Sequence, residues 1–194
     1  YIISKVTKKS LMHYVGMSWE EISADWGKSP VDTLIEITQE DVFMEGVLHV
    51  RSEGDVRYFL QHPLSMIGSD GTAMAPDGLW GQAKPHPRTY GCYPRILGRY
   101  VREYGLLSLE EAIKKMTSDP ADRLGISTRG QVSPGKAADL VVFDPDTVLD
   151  RATWEDPHRY PTGITDVFVN GARVVENGVH TQVRAGRVLR RGLA

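Results

Sequence analysis

Near Gly130 the apolar periodicity of the chain changes, and this constrains the fold more than any other feature. Before that point short apolar runs alternate with capped helical stretches, as repeated βα units do. After it, apolar and polar residues alternate at period two between tight turns, the signature of half-buried strands. A chain of 194 residues with such a switch reads as α/β over residues 1–129, followed by a small all-β part over residues 130–194.

The helix signals in the first part are local. Ser18 and Glu21 have the spacing of a capping box, with Gly27 placed for a left-handed C-terminus. Ser29-Pro30 opens a second helix that would bury Val31, Leu34, Ile35 and Thr38. A strand is expected over 47–50. A helix capped by Ser52, with Val56, Phe59 and Leu60 inward, should run to His62-Pro63, and a further strand should span 65–69. Residues 70–93 are rich in Gly and Pro and too long for a plain connector, so they read as a functional loop. Helices follow over 94–104, with Ile96, Leu97, Tyr100 and Val101 inward, from the Ser108–Glu111 capping box, and from Asp119-Pro120 to Gly125. In the second part a strand is expected over 138–144. Asn170-Gly171 fits a two-residue type I′ hairpin, and Asn177-Gly178 with residues 186–190 would extend the sheet.

Composition excludes several classes of function. Lys and Arg number 23 against 25 Asp and Glu, so no long-range basic field marks a nucleic-acid partner. No apolar run approaches the roughly 20 residues that span a bilayer, so no membrane partner is expected. One cysteine, Cys92, leaves no disulfide framework or Cys-rich zinc module, and a cytoplasmic location is the default expectation. The sequence opens at Tyr1 inside a strand-like run, residues 1–6, and reads as part of something longer.

Several side chains could carry chemistry. Asp70 ends the 65–69 run and precedes Gly71, which suits either a loop cap or a catalytic carboxylate at a strand end. In Lys84-Pro-His-Pro-Arg-Thr-Tyr90 two prolines stiffen the backbone around His86 and Arg88. Arg88 could grip a carboxylate with two parallel bonds or form a surface ion pair. His86 reads as loop packing against Trp80, a backbone bond, or a ligand contact. The six histidines form neither H-x-H nor H-E-x-x-H, so the chain alone cages no zinc. His49 reads as a core or rim histidine, and Cys92 as an inert thiol with no base beside it.

The strings Ile67-Gly-Ser-Asp-Gly71, Lys84-Pro-His-Pro-Arg-Thr-Tyr-Gly91, Tyr93-Pro-Arg-Ile-Leu-Gly-Arg-Tyr-Val-Arg102 and Pro134-Gly-Lys-Ala-Ala-Asp-Leu-Val-Val-Phe-Asp144 carry a family resemblance. It extends through Asp150-Arg-Ala-Thr-Trp154, Pro157-His-Arg-Tyr-Pro161 and the Val169-Asn-Gly171 hairpin. Together they resemble the C-terminal part of the N-acyl-D-amino-acid deacylases, or D-aminoacylases, of the amidohydrolase superfamily. The resemblance implies the last βα units of a metal-dependent (β/α)8 TIM-type barrel, with an active-site loop at 70–93, followed by a small β domain. It implies one or two zinc ions held mainly by residues upstream of Tyr1, with Asp70 at most a weak ligand. Zinc would activate a water and polarise the scissile amide. Asp70 would carry the water's proton to the departing amine. Arg88 matches the position that binds the substrate α-carboxylate, and Ser52, in Arg51-Ser-Glu-Gly-Asp55, matches a further substrate contact. The implied partner is a small N-acyl-D-amino acid, cleaved to a carboxylate and a D-amino acid. Two other readings stay open: a cyclic amide hydrolase of the hydantoinase or dihydroorotase kind, and a metal-free scaffold relative.

Overall fold

A computed structural model describes residues 1–48 and 50–190, the Leu79 side chain excepted. His49, a candidate rim histidine, lies outside the described residues. The chain divides into two compact units. The first comprises Tyr1–Arg51, Asp70–Tyr90 and Ala152–Tyr160, and the second Ser52–Ser69, Gly91–Arg151 and Pro161–Ala194.

In the first unit, β1 (Ile2–Lys5) pairs with β2 (Glu45–Val47) in antiparallel register, Ile3 opposite Gly46. Adjacent strands of a barrel would be parallel, and among the described residues no parallel pair is present. Two helices pack with this ribbon. Helix α1 (Trp19–Trp26) starts at the capping box the sequence indicates: the Ser18 hydroxyl accepts from Glu21 N–H, and the Glu21 carboxylate accepts from Ser18 N–H at 2.7 Å. It stops at Gly27, whose φ of 62° is left-handed. Helix α2 (Pro30–Glu40) begins at Ser29 with Pro30 in its first turn. Its buried face differs from the expected one. Val31, Leu34, Ile35 and Thr38 are exposed, and Thr33 and Ile37 are fully buried. The core here, Ile3, Val6, Leu11, Tyr14, Trp19 and Ile22, meets the helix on the Ile37 side. The second apolar stripe of α2 therefore faces away from it.

The end of α2 is fixed by Asp41, which is only 3% exposed. Its carboxylate accepts from Thr7 N–H (2.5 Å), the Thr7 hydroxyl (2.8 Å), Lys8 N–H (3.0 Å) and Phe43 N–H (3.1 Å). Burial pushes this carboxyl up, but the hydrogen bonds from Thr7, Lys8 and Phe43 outweigh it, and the group sits below the usual carboxylate range.

In the second unit, α3 (Glu53–Gln61) is capped by Ser52, whose hydroxyl accepts from Asp55 N–H at 3.0 Å. Val56 and Leu60 are half-buried, but Phe59 is exposed, contrary to the expected inward face. The run 65–69 is extended yet joins no sheet, so the strand expected there is not formed. Its polar groups are satisfied otherwise. Ile67 N–H donates to the Lys115 carbonyl at 3.0 Å. The buried Lys115 ammonium donates to His62 O (2.7 Å), Ser65 O (3.0 Å) and the Ser65 hydroxyl (3.1 Å).

Helix α4 (Arg88–Arg95) starts inside the segment read as loop, six residues earlier than expected. Pro87 sets the entry, and Thr89 N–H and Tyr90 N–H bond back to the carbonyls of His86 and Pro87. Pro94 has no N–H to give within this helix, and the backbone continues as a wide π-helical segment, Ile96–Glu103. That segment buries Ile96, Leu97 and Tyr100, which join Ile67, Leu107, Ala112 and Val148 in the second core. Helices α5 (Leu109–Met116) and α6 (Ser118–Leu124) follow, with the capping box at Ser108–Glu111 and Gly125 left-handed at φ 72°.

The strands β3 (Leu140–Phe143), β4 (Ile164–Val169), β5 (Ala172–Glu176) and β6 (Val179–His180) form an antiparallel meander in that order. Asn170 and Gly171 both take positive φ, 50° and 81°, as a type I′ turn requires, and Asn177-Gly178 repeats the arrangement. Residues 186–190 form no strand, so the sheet ends earlier than the sequence indicates, although Asn170 Nδ2 donates to the Ala185 carbonyl.

Candidate active site

The first unit contains an open cleft of about 640 Å3, and the candidate residues converge there: Asp70, Arg88 and His86 line it, together with Arg51, Thr72 and Trp154. Asp70 adopts φ 47°, a left-handed conformation that Asp tolerates better than most side chains and that costs on the order of 1 kcal/mol. The turn delivers its carboxylate to the cleft, 81% exposed. Arg88, at the start of α4, reaches it twice. Nη2 lies 2.5 Å from Asp70 Oδ2, and Nε donates to the Asp70 carbonyl at 3.1 Å. The two residues that sequence reasoning treated separately therefore form one ion pair. At this exposure it is worth well under about 1 kcal/mol to stability, so its value lies in orientation.

The segment that presents Arg88 is held on two sides. His86 Nδ1 accepts from Arg88 N–H at 3.0 Å, and its ring packs edge-on against Trp154 at 4.6 Å. This is the backbone bond expected for His86, with Trp154 rather than Trp80 as the aromatic neighbour. His158 ties down the same segment: Nε2 donates to the Ala83 carbonyl at 2.7 Å, leaving Nδ1 to accept from the Tyr90 hydroxyl at 2.9 Å. Burial pushes the Tyr90 phenol up, and Tyr160 and Asp77 add to this, so Tyr90 remains a donor. Sequence reasoning assigned His158 and Trp154 no part in the site. Their only signal was membership of the two short strings that carry the resemblance.

The remaining candidates have other places. Ser52 is the N-cap of α3 in the second unit, its hydroxyl turned to Asp55 N–H. Cys92 is half-buried, with Sγ 3.7 Å from the Gly68 carbonyl. Among the described residues no three His, Cys, Asp or Glu side chains gather as a metal site. No helix among the described residues is long and apolar enough to cross a membrane.

Residues 49–175, more than half the chain, match the family model described as the amidohydrolase family. The chain belongs to the amidohydrolase family. This amidohydrolase chain is 42% identical to a D-aminoacylase of Alcaligenes xylosoxydans xylosoxydans over 92% of its own length, covering 35% of that protein. An N-acyl-D-glutamate deacylase of the same organism is 43% identical over 91% of the chain, 34% of the relative being covered. A solved N-acyl-D-glutamate deacylase from Bordetella bronchiseptica, in complex with zinc and a phosphonate mimic of the tetrahedral intermediate, superposes with a TM-score of 0.77. That match has 40% identity and covers 89% of this chain and 34% of that one. A dihydroorotase of Lactobacillus acidophilus is more distant, 29% identical over 59% of the chain. The chain spans about a third of the length of the deacylases it matches.

Proposed function

We propose that this amidohydrolase chain forms the C-terminal part of a zinc-dependent N-acyl-D-amino-acid deacylase, which hydrolyses the acyl amide to a carboxylate and a free D-amino acid. In this reading residues 1–129 contribute the last βα units of a (β/α)8 barrel and residues 130–194 a small β domain. The zinc is held by residues outside this chain. The observation that carries the reading is the Asp70 carboxylate held 2.5 Å from the Arg88 guanidinium at the edge of a cleft. Kinship with deacylases supports it further.

The chain's own residues then have distinct tasks. Hydrolysis adds water across the amide: its oxygen goes to the acyl carbon, and the amine nitrogen must gain a proton as the C–N bond breaks. Asp70 accepts the proton from the attacking water and returns it to that nitrogen. Its exposed carboxylate and left-handed turn leave it free to reach both positions. Arg88 holds the Asp70 carboxylate in place before substrate arrives. Its forked guanidinium then suits the substrate α-carboxylate, which fixes the enantiomer whose amide meets Asp70. Ser52, whose hydroxyl also caps α3, contributes a further substrate contact.

The test uses the full-length protein and its Asp70→Asn variant with racemic N-acetylmethionine and chiral detection of the product. D-methionine from the wild type, reduced at least 1,000-fold in the variant with zinc content unchanged, is the expected result. Release of L-methionine, or full activity of the variant, refutes the assignment. Cyclic amide hydrolysis, the reading favoured by the distant dihydroorotase match, requires turnover that Arg88→Ala leaves intact, whereas deacylation should lose much of its kcat/KM.

A further inference from the structure

We propose that His86 is a positioning residue for Arg88: its imidazole fixes the backbone from which the guanidinium is delivered to the substrate α-carboxylate, and Trp154 holds the ring in the orientation this requires. The inference rests on the deacylase reading and goes beyond it by naming a residue that acts through Arg88 rather than on the substrate.

The first N–H groups of a helix have no acceptor within the helix, and at the start of α4 two residues supply them all. Thr89 N–H donates to the His86 carbonyl at 3.0 Å, and Tyr90 N–H to the Pro87 carbonyl at 3.2 Å. Arg88 N–H donates to the His86 ring itself, at Nδ1, 3.0 Å away. The half-buried ring lies edge-on to Trp154 with centroids 4.6 Å apart, a contact that opposes the ring rotation by which this bond would break. Arg88 is thus held at both ends. His86 fixes its backbone, while the guanidinium meets Asp70 through Nε to the carbonyl at 3.1 Å and Nη2 to Oδ2 at 2.5 Å.

The two holds serve different moments of the reaction. Arg88 has much rotamer freedom to lose on gripping a carboxylate, and each constraint present beforehand lowers that cost. When the guanidinium turns from Asp70 to the substrate, its contact with Asp70 is given up and the His86 bond is the one that stays. The α-carboxylate is the same in ground state and transition state, so a loosened Arg88 weakens both alike and raises KM with little change in kcat. His86 also lines the cleft, which makes direct contact with the substrate the competing role.

The experiment measures KM and kcat of the full-length protein for N-acetyl-D-methionine. His86→Phe keeps a ring against Trp154 but has no acceptor, and KM should rise about 5-fold, the loss of one hydrogen bond, with kcat nearly unchanged. His86→Asn loses the ring but places Oδ1 as many bonds from Cα as Nδ1 of histidine, and it should recover most of the loss. This recovery separates the bond from any effect on folding. In an Arg88→Ala background, with no guanidinium to place, His86→Phe should have no further effect on kcat/KM. A wild-type KM in His86→Phe, or an Asn variant as impaired as the Phe variant, overturns the proposal. A loss of the same size in the Arg88→Ala background also overturns it, because His86 would then act on the substrate directly. Each of these results leaves the deacylase reading standing. A wild type that cleaves no N-acyl-D-amino acid at all overturns that reading, and this proposal with it.

Discussion

Replacing Asp41 tests whether one buried carboxylate holds the first unit together. Four donors converge on it, three of them backbone N–H groups of Thr7, Lys8 and Phe43. A hydrogen bond to an ionised group contributes about 1.5–3 kcal/mol, and a donor left without a partner costs about 1–3 kcal/mol when buried. Thr7 and Lys8 lie at the exposed rim, so water recovers part of the loss. Asp41→Ala should then destabilise by about 3 kcal/mol. Asp41→Asn keeps one oxygen for Thr7 N–H and Lys8 N–H and can donate to the Thr7 hydroxyl. It loses chiefly the Phe43 bond and the charge, and should cost about 1–2 kcal/mol. The pH dependence has a definite sign. The folded carboxyl lies below its unfolded value of about 3.9, so its contribution is complete above that pH and is lost as the pH falls through the lower, folded value. Urea denaturation of the full-length protein should show a constant gap between wild type and Asp41→Ala from pH 5 to 8 and a narrowing gap below about pH 4. Amide exchange at Thr7, Lys8 and Phe43 should accelerate in the variant. A stability loss under about 0.5 kcal/mol, or a gap that widens on acidification, would refute the reasoning.

Three other perturbations follow from the same geometry. Lys115→Met should cost about 2–4 kcal/mol, because the carbonyls of His62 and Ser65 lose their buried ammonium donor; thermal unfolding reads this. Gly98→Ala should be more damaging than its size suggests, since the added methyl would sit 2.6 Å from the Val148 carbonyl oxygen and 2.9 Å from Leu149 Cδ1. A wild-type melting temperature in this variant would contradict that close approach. His158→Ala removes the bridge between Ala83 O and the Tyr90 hydroxyl. It should raise KM for N-acyl-D-amino acids several-fold with a smaller change in kcat, as expected when the segment presenting Arg88 loosens; an equal fall in kcat would mean that His158 acts in the chemistry.

What the sequence by itself determined was whatever depends on a few consecutive residues. The capping boxes at Ser18 and Ser108, the left-handed Gly27, the helix stop at Gly125 and the two Asn-Gly hairpins all formed as read. Each rests on a backbone preference that no distant contact had to supply. Asp70 and Arg88 were legible as candidates for the same reason, since Gly71 and the prolines at 85 and 87 advertise an exposed turn and a stiffened segment. Tertiary structure decided what depends on a partner far along the chain. Helix α2 had two apolar stripes, and only the core around Ile3 and Ile22 selected the Ile37 side. The 65–69 run had the composition of a strand but found the Lys115 side chain and carbonyl instead of a ladder. The pairing of Asp70 with Arg88 and the convergence of donors on Asp41 join residues up to 34 positions apart. Local propensity carries no information about such meetings, because packing of the whole unit brings their partners together.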